Sequence, residues 1–172
     1  MKFYYHIIPM PLLAITRFTN ETYHENTTWR KENDWSGCIY GSPKDIICTT
    51  GEQLIVVEMN NDENKIIGIG IIRNQPDYTK KYNIYKYGYY NRKVFIGKRR
   101  IDVSDIKHDI LLDAIKEMEK ILFYGKTHYK RGLGVQILKS DLIMKHPTYS
   151  FTTIFRDMFR EMPLSCADYV TP

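Results

Sequence analysis

Leu54-Ile55-Val56-Val57-Glu58-Met59, then Asn60-Asn61-Asp62-Glu63-Asn64, then Lys65-Ile66-Ile67-Gly68-Ile69-Gly70-Ile71-Ile72-Arg73: the reading of this stretch decides the fold. Its first part is a continuous apolar run, the pattern of a central strand covered on both faces. A polar turn and a second apolar run of the same kind follow, which predicts a β-hairpin. In the returning strand Gly68 and Gly70 share one face, while Ile67, Ile69 and Ile71 share the other. Glycine at alternate positions weakens a strand, so it marks close approach by something else. A helix packed on that face is the first expectation, a ligand the second.

Working outward, residues 2–8 and 12–18 read as extended, broken by Pro9 and Pro11. Asn20 offers an N-cap for a polar helix running to about Lys31, with Trp29 and Trp35 bracketing its exit. Gly37 to Gly41 is a short strand closed by Ser42-Pro43. Past the hairpin a mobile loop is expected over residues 74–92 and one basic strand from Lys93 to Val103. Ser104 then caps a helix whose Ile106, Ile110, Leu111, Ile115, Met118 and Leu122 recur at helical spacing and which ends near Gly125. Val135 to Leu138 is a last strand. After Pro147, Phe151, Ile154, Phe155, Met158, Phe159 and Met162 form the apolar stripe of a final helix. The order predicts one α+β domain over residues 1–140 and a C-terminal helical extension over residues 141–172. The final stripe reads first as core cover, and alternatively as a face on which Phe151, Phe155 and Phe159 dock a protein partner.

Charge is distributed unevenly. The 23 residues from Tyr78 to Arg100 hold six tyrosines, eight lysines or arginines and no acidic residue, so they carry +8 in a chain of net charge +5. Cations with flat rings suit a polyanion with stackable faces, which describes single-stranded nucleic acid. A solvated, tyrosine-rich hairpin is the plainer alternative. Lys93, Lys98, Arg99 and Arg100, with Lys126, His128, Lys130 and Arg131 on a later turn, are candidate phosphate contacts. They form one groove only if the two segments are neighbours. Tyr87, Tyr89 and Tyr90 are candidate base contacts.

Other chemistry finds little support. Gly68-Ile69-Gly70 lacks a third glycine and a following Gly-Lys-Ser/Thr, and no Gly-x-Ser-x-Gly elbow occurs. The three cysteines lack Cys-x-x-Cys spacing, which argues against a disulfide framework and a zinc site and for a reducing compartment. Neither metal nor cofactor is expected. His128 among Lys126, Lys130 and Arg131 leaves a small ribonuclease as the weaker alternative. The apolar run His6 to Ile15 is broken by prolines, so it reads as a strand and not as a signal peptide or membrane span.

The order of elements resembles the PUA-like superfamily, in particular its EVE and YTH branches, with ASCH domains as further relatives. The matching pieces are Trp35-Ser36-Gly37-Cys38-Ile39-Tyr40-Gly41-Ser42, the hairpin with Ile67-Gly68-Ile69-Gly70-Ile71, and Val94-Phe95-Ile96-Gly97-Lys98-Arg99-Arg100-Ile101-Asp102-Val103-Ser104-Asp105-Ile106. The chain also looks like proteins of large nucleocytoplasmic DNA viruses, in agreement with 61 residues of Ile, Lys, Asn and Tyr against 29 of Ala, Gly, Pro and Arg. The resemblance implies a twisted, mostly antiparallel β-barrel with flanking helices. It further implies an aromatic cage that holds a modified base, such as N6-methyladenine. Tyr40 falls at the position of a cage tryptophan, the second cage ring falls among Tyr85 to Tyr90, and Trp35 is a further candidate.

The function expected is therefore a non-enzymatic nucleic-acid-binding module, with RNA ahead of DNA, reading a modified base through an aromatic pocket beside a basic strand. A viral assembly protein docking through its C-terminal helix is the alternative. The compartment expected is the host cytoplasm or nucleus, with association to the virion as a further possibility.

Overall fold

The computed structural model describes residues 10–139 and 148–161. The expected strand at residues 2–8 lies outside them. Strand β1 (Leu12–Phe18) leads into helix α1 (Asn20–Glu32), and β2 (Cys38–Ser42) follows. The hairpin is β3 (Gln53–Asn60) and β4 (Lys65–Arg73). Then come β5 (Lys93–Gly97), β6 (Arg99–Asp102), helix α2 (Asp109–Phe123), β7 (Gln136–Ile137) and helix α3 (Phe151–Glu161). The protein is α+β. A five-stranded mixed sheet runs β6-β4-β3-β1-β7, and β2 and β5 form a separate two-stranded ribbon.

The hairpin organises the rest. β3 sits at the centre of the large sheet, and all its residues from Leu54 to Asn60 are buried, as a run without polar alternation requires. Its partner β1 lies parallel to it, Leu12 opposite Leu54 and Phe18 opposite Asn60. A parallel pair needs a crossover, supplied here by α1 and β2. The remaining pairings, β1 with β7, β2 with β5, β3 with β4 and β4 with β6, are antiparallel. Among the described residues the strands form two sheets rather than one closed barrel.

The large sheet is covered on both faces. On one side Leu13, Ile15, Ile55, Val57 and Ile69 pack with Met118 and Leu122 of α2 and with Phe151, Phe155 and Phe159 of α3. On the other, Ala14, Leu54 and Val56 pack with Ile39, Tyr40 and Phe95 of the ribbon and with Tyr82, Ile84 and Tyr85. Burying each such side chain is worth about 1.5–3 kcal/mol. Helix α3 therefore belongs to the main core. Phe151 and Phe155 are fully buried and Phe159 is 2% exposed, so the rings expected to dock a partner are covered by the chain itself.

Several local expectations need correction. Thr19 is the N-cap of α1 and Asn20 is its first residue. The Asn20 side chain instead accepts from Asn60 Nδ2 at 2.8 Å, tying the helix start to the hairpin. The predicted basic strand is two strands, which Lys98 separates and which enter different sheets. Ser104 does not cap α2, because its N–H and hydroxyl both donate to Asp102 Oδ1. The helix starts five residues later, at Asp109, and ends before Gly125, whose φ of +83° suits the residue after a helix C-cap.

Gly68 and Gly70 do not face a helix. A Cβ on Gly70 would stand 2.2 Å from Tyr40 Oη, and one on Gly68 would stand 2.3 Å from Glu58 Oε2 and 2.4 Å from Arg100 Nη2. The two glycines vacate space for a polar cluster between the sheet and the ribbon.

Candidate nucleic-acid interface

The tyrosine-bearing segment 74–92 is anchored at several points. Asp77 accepts from Thr79 N–H and from the Tyr82 hydroxyl, each at 2.7 Å. The hydrogen bonds from Thr79, then that from Tyr82, hold its carboxyl below the usual value, while burial and the bond to Asp77 push the Tyr82 phenol up to about 12. Asn91 clasps the middle of the segment: its Oδ1 accepts from Ile84 N–H and Tyr85 N–H, and its Nδ2 donates to Tyr85 O. The Tyr85 hydroxyl accepts from Asn26 Nδ2 of α1 at 3.0 Å, and the same amide donates to Ile39 O of β2. Tyr82 and Tyr85 are core residues. The expectation of a mobile loop is therefore replaced by a braced one.

Beyond this brace the rings turn outward. Tyr87 is 71% exposed and Tyr89 is 40% exposed. Both pack on the half-buried Tyr90, with centroids at 6.2 and 6.1 Å, and Arg92 lies over the Tyr89 ring at 5.2 Å. This is a ring surface with a cation attached.

Tyr85 and Tyr90 also line a cavity of about 140 Å³, whose other walls are the start of α1 and the turn at Gly132 to Gly134. Gly134, with φ of +70°, brings that turn against β2, where a Cβ would stand 2.1 Å from Ser42 Oγ. Arg17 and Asn61 line the cavity too. Arg17 Nε donates to Tyr129 O and Nη2 donates to Gln136 Oε1 at 2.9 Å. Asn61 Nδ2 donates to Lys130 O at 2.9 Å. Among the described residues, the buried Arg17 Nη1 and Asn61 Oδ1 have no hydrogen-bond partner, and no carboxylate pairs with Arg17. Burial lowers the Arg17 guanidinium to about 10, still charged at neutral pH. Buried polar atoms are nearly always satisfied, so two open ones in one cavity are chemically informative.

The residues expected to read a base divide into two groups. Tyr90 lines the cavity, and Tyr87 and Tyr89 flank it through Tyr90. Tyr40 does not reach it: the ring is 1% exposed and its hydroxyl donates to Glu58 Oε1 at 2.7 Å. Its neighbour Gly41 lines the wall instead. Trp35 is half-buried and donates from its indole N–H to Cys38 O at 3.1 Å.

The phosphate set divides as well. Arg100 is withdrawn from solvent, bonding Glu58 through Nε and Nη2 and Asp102 through Nη1. Its burial favours the neutral form, but the Glu58 charge and hydrogen bonds reverse this and hold the guanidinium above its ordinary value. Arg99 lies over the Phe159 ring of α3 and donates to Phe159 O. Lys93 pairs with Asp45, Lys130 Nζ donates to Asn64 Oδ1, and His128 Nδ1 accepts from Lys130 N–H. Lys98, Lys126 and Arg131 are exposed. The anticipated groove between the 93–100 strand and the 126–131 turn is replaced by a cavity between that turn and the tyrosines. Burial recruits the rest of the basic strand into structure.

Sequence reading missed Arg17 and Asn61. The signal available for Arg17 was a lone cation in the otherwise uncharged strand Leu12–Phe18. Asn61 carried none, as it reads as one more polar turn residue. Among the described residues, no cluster of His, Cys, Asp and Glu could hold a metal, and no helix is long and apolar enough to cross a membrane. Comparison with protein-family models, with curated proteins and with solved structures finds no match to the chain.

Proposed function

We propose that the protein binds single-stranded nucleic acid, RNA ahead of DNA, and draws one base into the cavity between the tyrosine segment and the Gly132–Gly134 turn. One observation carries this reading: an exposed ring surface, Tyr87 and Tyr89, abuts through Tyr90 a cavity that holds an uncompensated arginine. Rings stack on bases of any sequence, and the exposed Lys126 and Arg131 near the same turn supply charge for the backbone. The resemblance to PUA-like domains, with their β-barrel core and base-reading pockets, points the same way. In this reading a modified base enters between Tyr85 and Tyr90, and Tyr40 supports the wall from behind.

The test is fluorescence anisotropy with short labelled RNA and DNA strands, plain and methylated, over a range of salt. The expected result is binding that weakens steeply with salt. Tyr90→Ala is expected to lower affinity about 5- to 150-fold, the equivalent of one stacked base at about 1–3 kcal/mol. Absence of binding below the high-micromolar range for every strand would reject the proposal.

A further inference from the structure

Resting on that reading, we infer that the cavity selects a base presenting a ring carbonyl beside a ring N–H, namely uracil, thymine or guanine. Arg17 Nη1 donates to the carbonyl oxygen and Asn61 Oδ1 accepts from the N–H. The argument starts from how firmly both groups are held. Two of the three guanidinium nitrogens of Arg17 are engaged, by Tyr129 O and Gln136 Oε1, which leaves Nη1 as the open donor. Asn61 is held by its main-chain N–H on Phe18 O at 2.8 Å and its Nδ2 on Lys130 O. Only the amide nitrogen can face a carbonyl oxygen, so the bond to Lys130 sets the orientation of the amide and makes the open atom an acceptor.

The polarity of this pair excludes one ligand and ranks the others. A phosphate would satisfy Arg17 but turn oxygen lone pairs toward Asn61 Oδ1. An uncharged edge with an acceptor beside a donor satisfies both atoms. Among such edges, a guanidinium without a carboxylate partner gains most from an exocyclic carbonyl oxygen, with its two lone pairs and larger partial charge. The ring nitrogens of adenine and cytosine offer one lone pair each, beside an amino group whose second proton finds no acceptor in the pair. Arginine to carbonyl oxygen is also the commonest specific contact to base edges in nucleic acids.

The experiment uses strands that are abasic except for one central base, X, measured by anisotropy against the full-length protein. The expected order is U and G at least tenfold tighter than A and C. Asn61→Leu and Arg17→Lys are expected to level the four affinities, with thermal melts confirming that each variant is folded. Asn61→Asp, which keeps the acceptor, is expected to retain the order. Equal affinities for all four bases, or a preference for A or C, would overturn the inference while leaving nucleic-acid binding intact. No binding to any strand would remove both. Displacement of the strand by millimolar inorganic phosphate, lost in Arg17→Lys, would make the cavity an anion site and overturn the base assignment.

Discussion

Tyr40 Oη stands 2.7 Å from Glu58 Oε1, in space left open by the missing side chain of Gly70. The phenol, the carboxylate and the Arg100 guanidinium form a buried polar cluster whose cost is offset by complete pairing. Gly70→Ala places a methyl group 2.2 Å from the Tyr40 oxygen. It is expected to destabilise the protein by about 1–3 kcal/mol, the range for an overpacked core, read as a lower urea midpoint at unchanged slope.

Removing one charge of a buried pair strands the other. The Arg100 and Glu58 side chains are 6% and 3% exposed. Arg100→Met is therefore expected to cost about 3–5 kcal/mol in urea unfolding, whereas the exposed Lys98→Ala stays within about 0.5 kcal/mol. Arg100 also serves as a control for binding. Arg131→Ala is expected to reduce the salt slope of RNA binding by about 0.7, and Arg100→Met, where it remains folded, to leave it unchanged.

Phe155 is fully buried between α3 and the sheet. Phe155→Ala is expected to cost about 3–5 kcal/mol of stability, measured by denaturation. A change below about 1 kcal/mol would mean that α3 docks only weakly on the domain.

The brace under the tyrosines is sensitive to acid. Asp77 has a folded-state value below its ordinary 3.8, so the stability it contributes is present above the unfolded value and is lost as pH falls through the folded one. Amide exchange over residues 77–85 is expected to accelerate below about pH 4 before the central hairpin does. Asp77→Asn is expected to remove this early step.

Burial pushes the Cys38 thiol up to about 12, and Cys48 is only half-buried. At pH 8 maleimide is expected to label Cys48 in the native protein and Cys38 only after unfolding, as mapped by peptide mass spectrometry.

The hairpin was fully legible, because β3 and β4 are continuous apolar runs separated by one polar turn. The stripes of α2 and α3 were legible for a similar reason, since period 3.6 survives any tertiary arrangement. The cap of α1 and the start of α2 were not. Each depends on which partner a side chain chooses, Asn60 for Asn20 and Asp102 for Ser104. Composition overstated the phosphate set, since it counts every cation alike and cannot see Glu58, Asp45 or Phe159 beside three of them.

By itself the sequence determined the central hairpin, the apolar faces of two helices, and the concentration of rings and cations between Tyr78 and Arg100. Those properties are local, set by periodicity and composition along contiguous residues. Tertiary structure alone decided that Tyr40 and Arg100 are interior, that Gly68 and Gly70 make room for them, and that Arg17 and Asn61 open onto the cavity beside Tyr90. These residues meet across long separations, and burial together with partner choice, which no single segment encodes, distinguishes a cation held in structure from one left to bind a ligand.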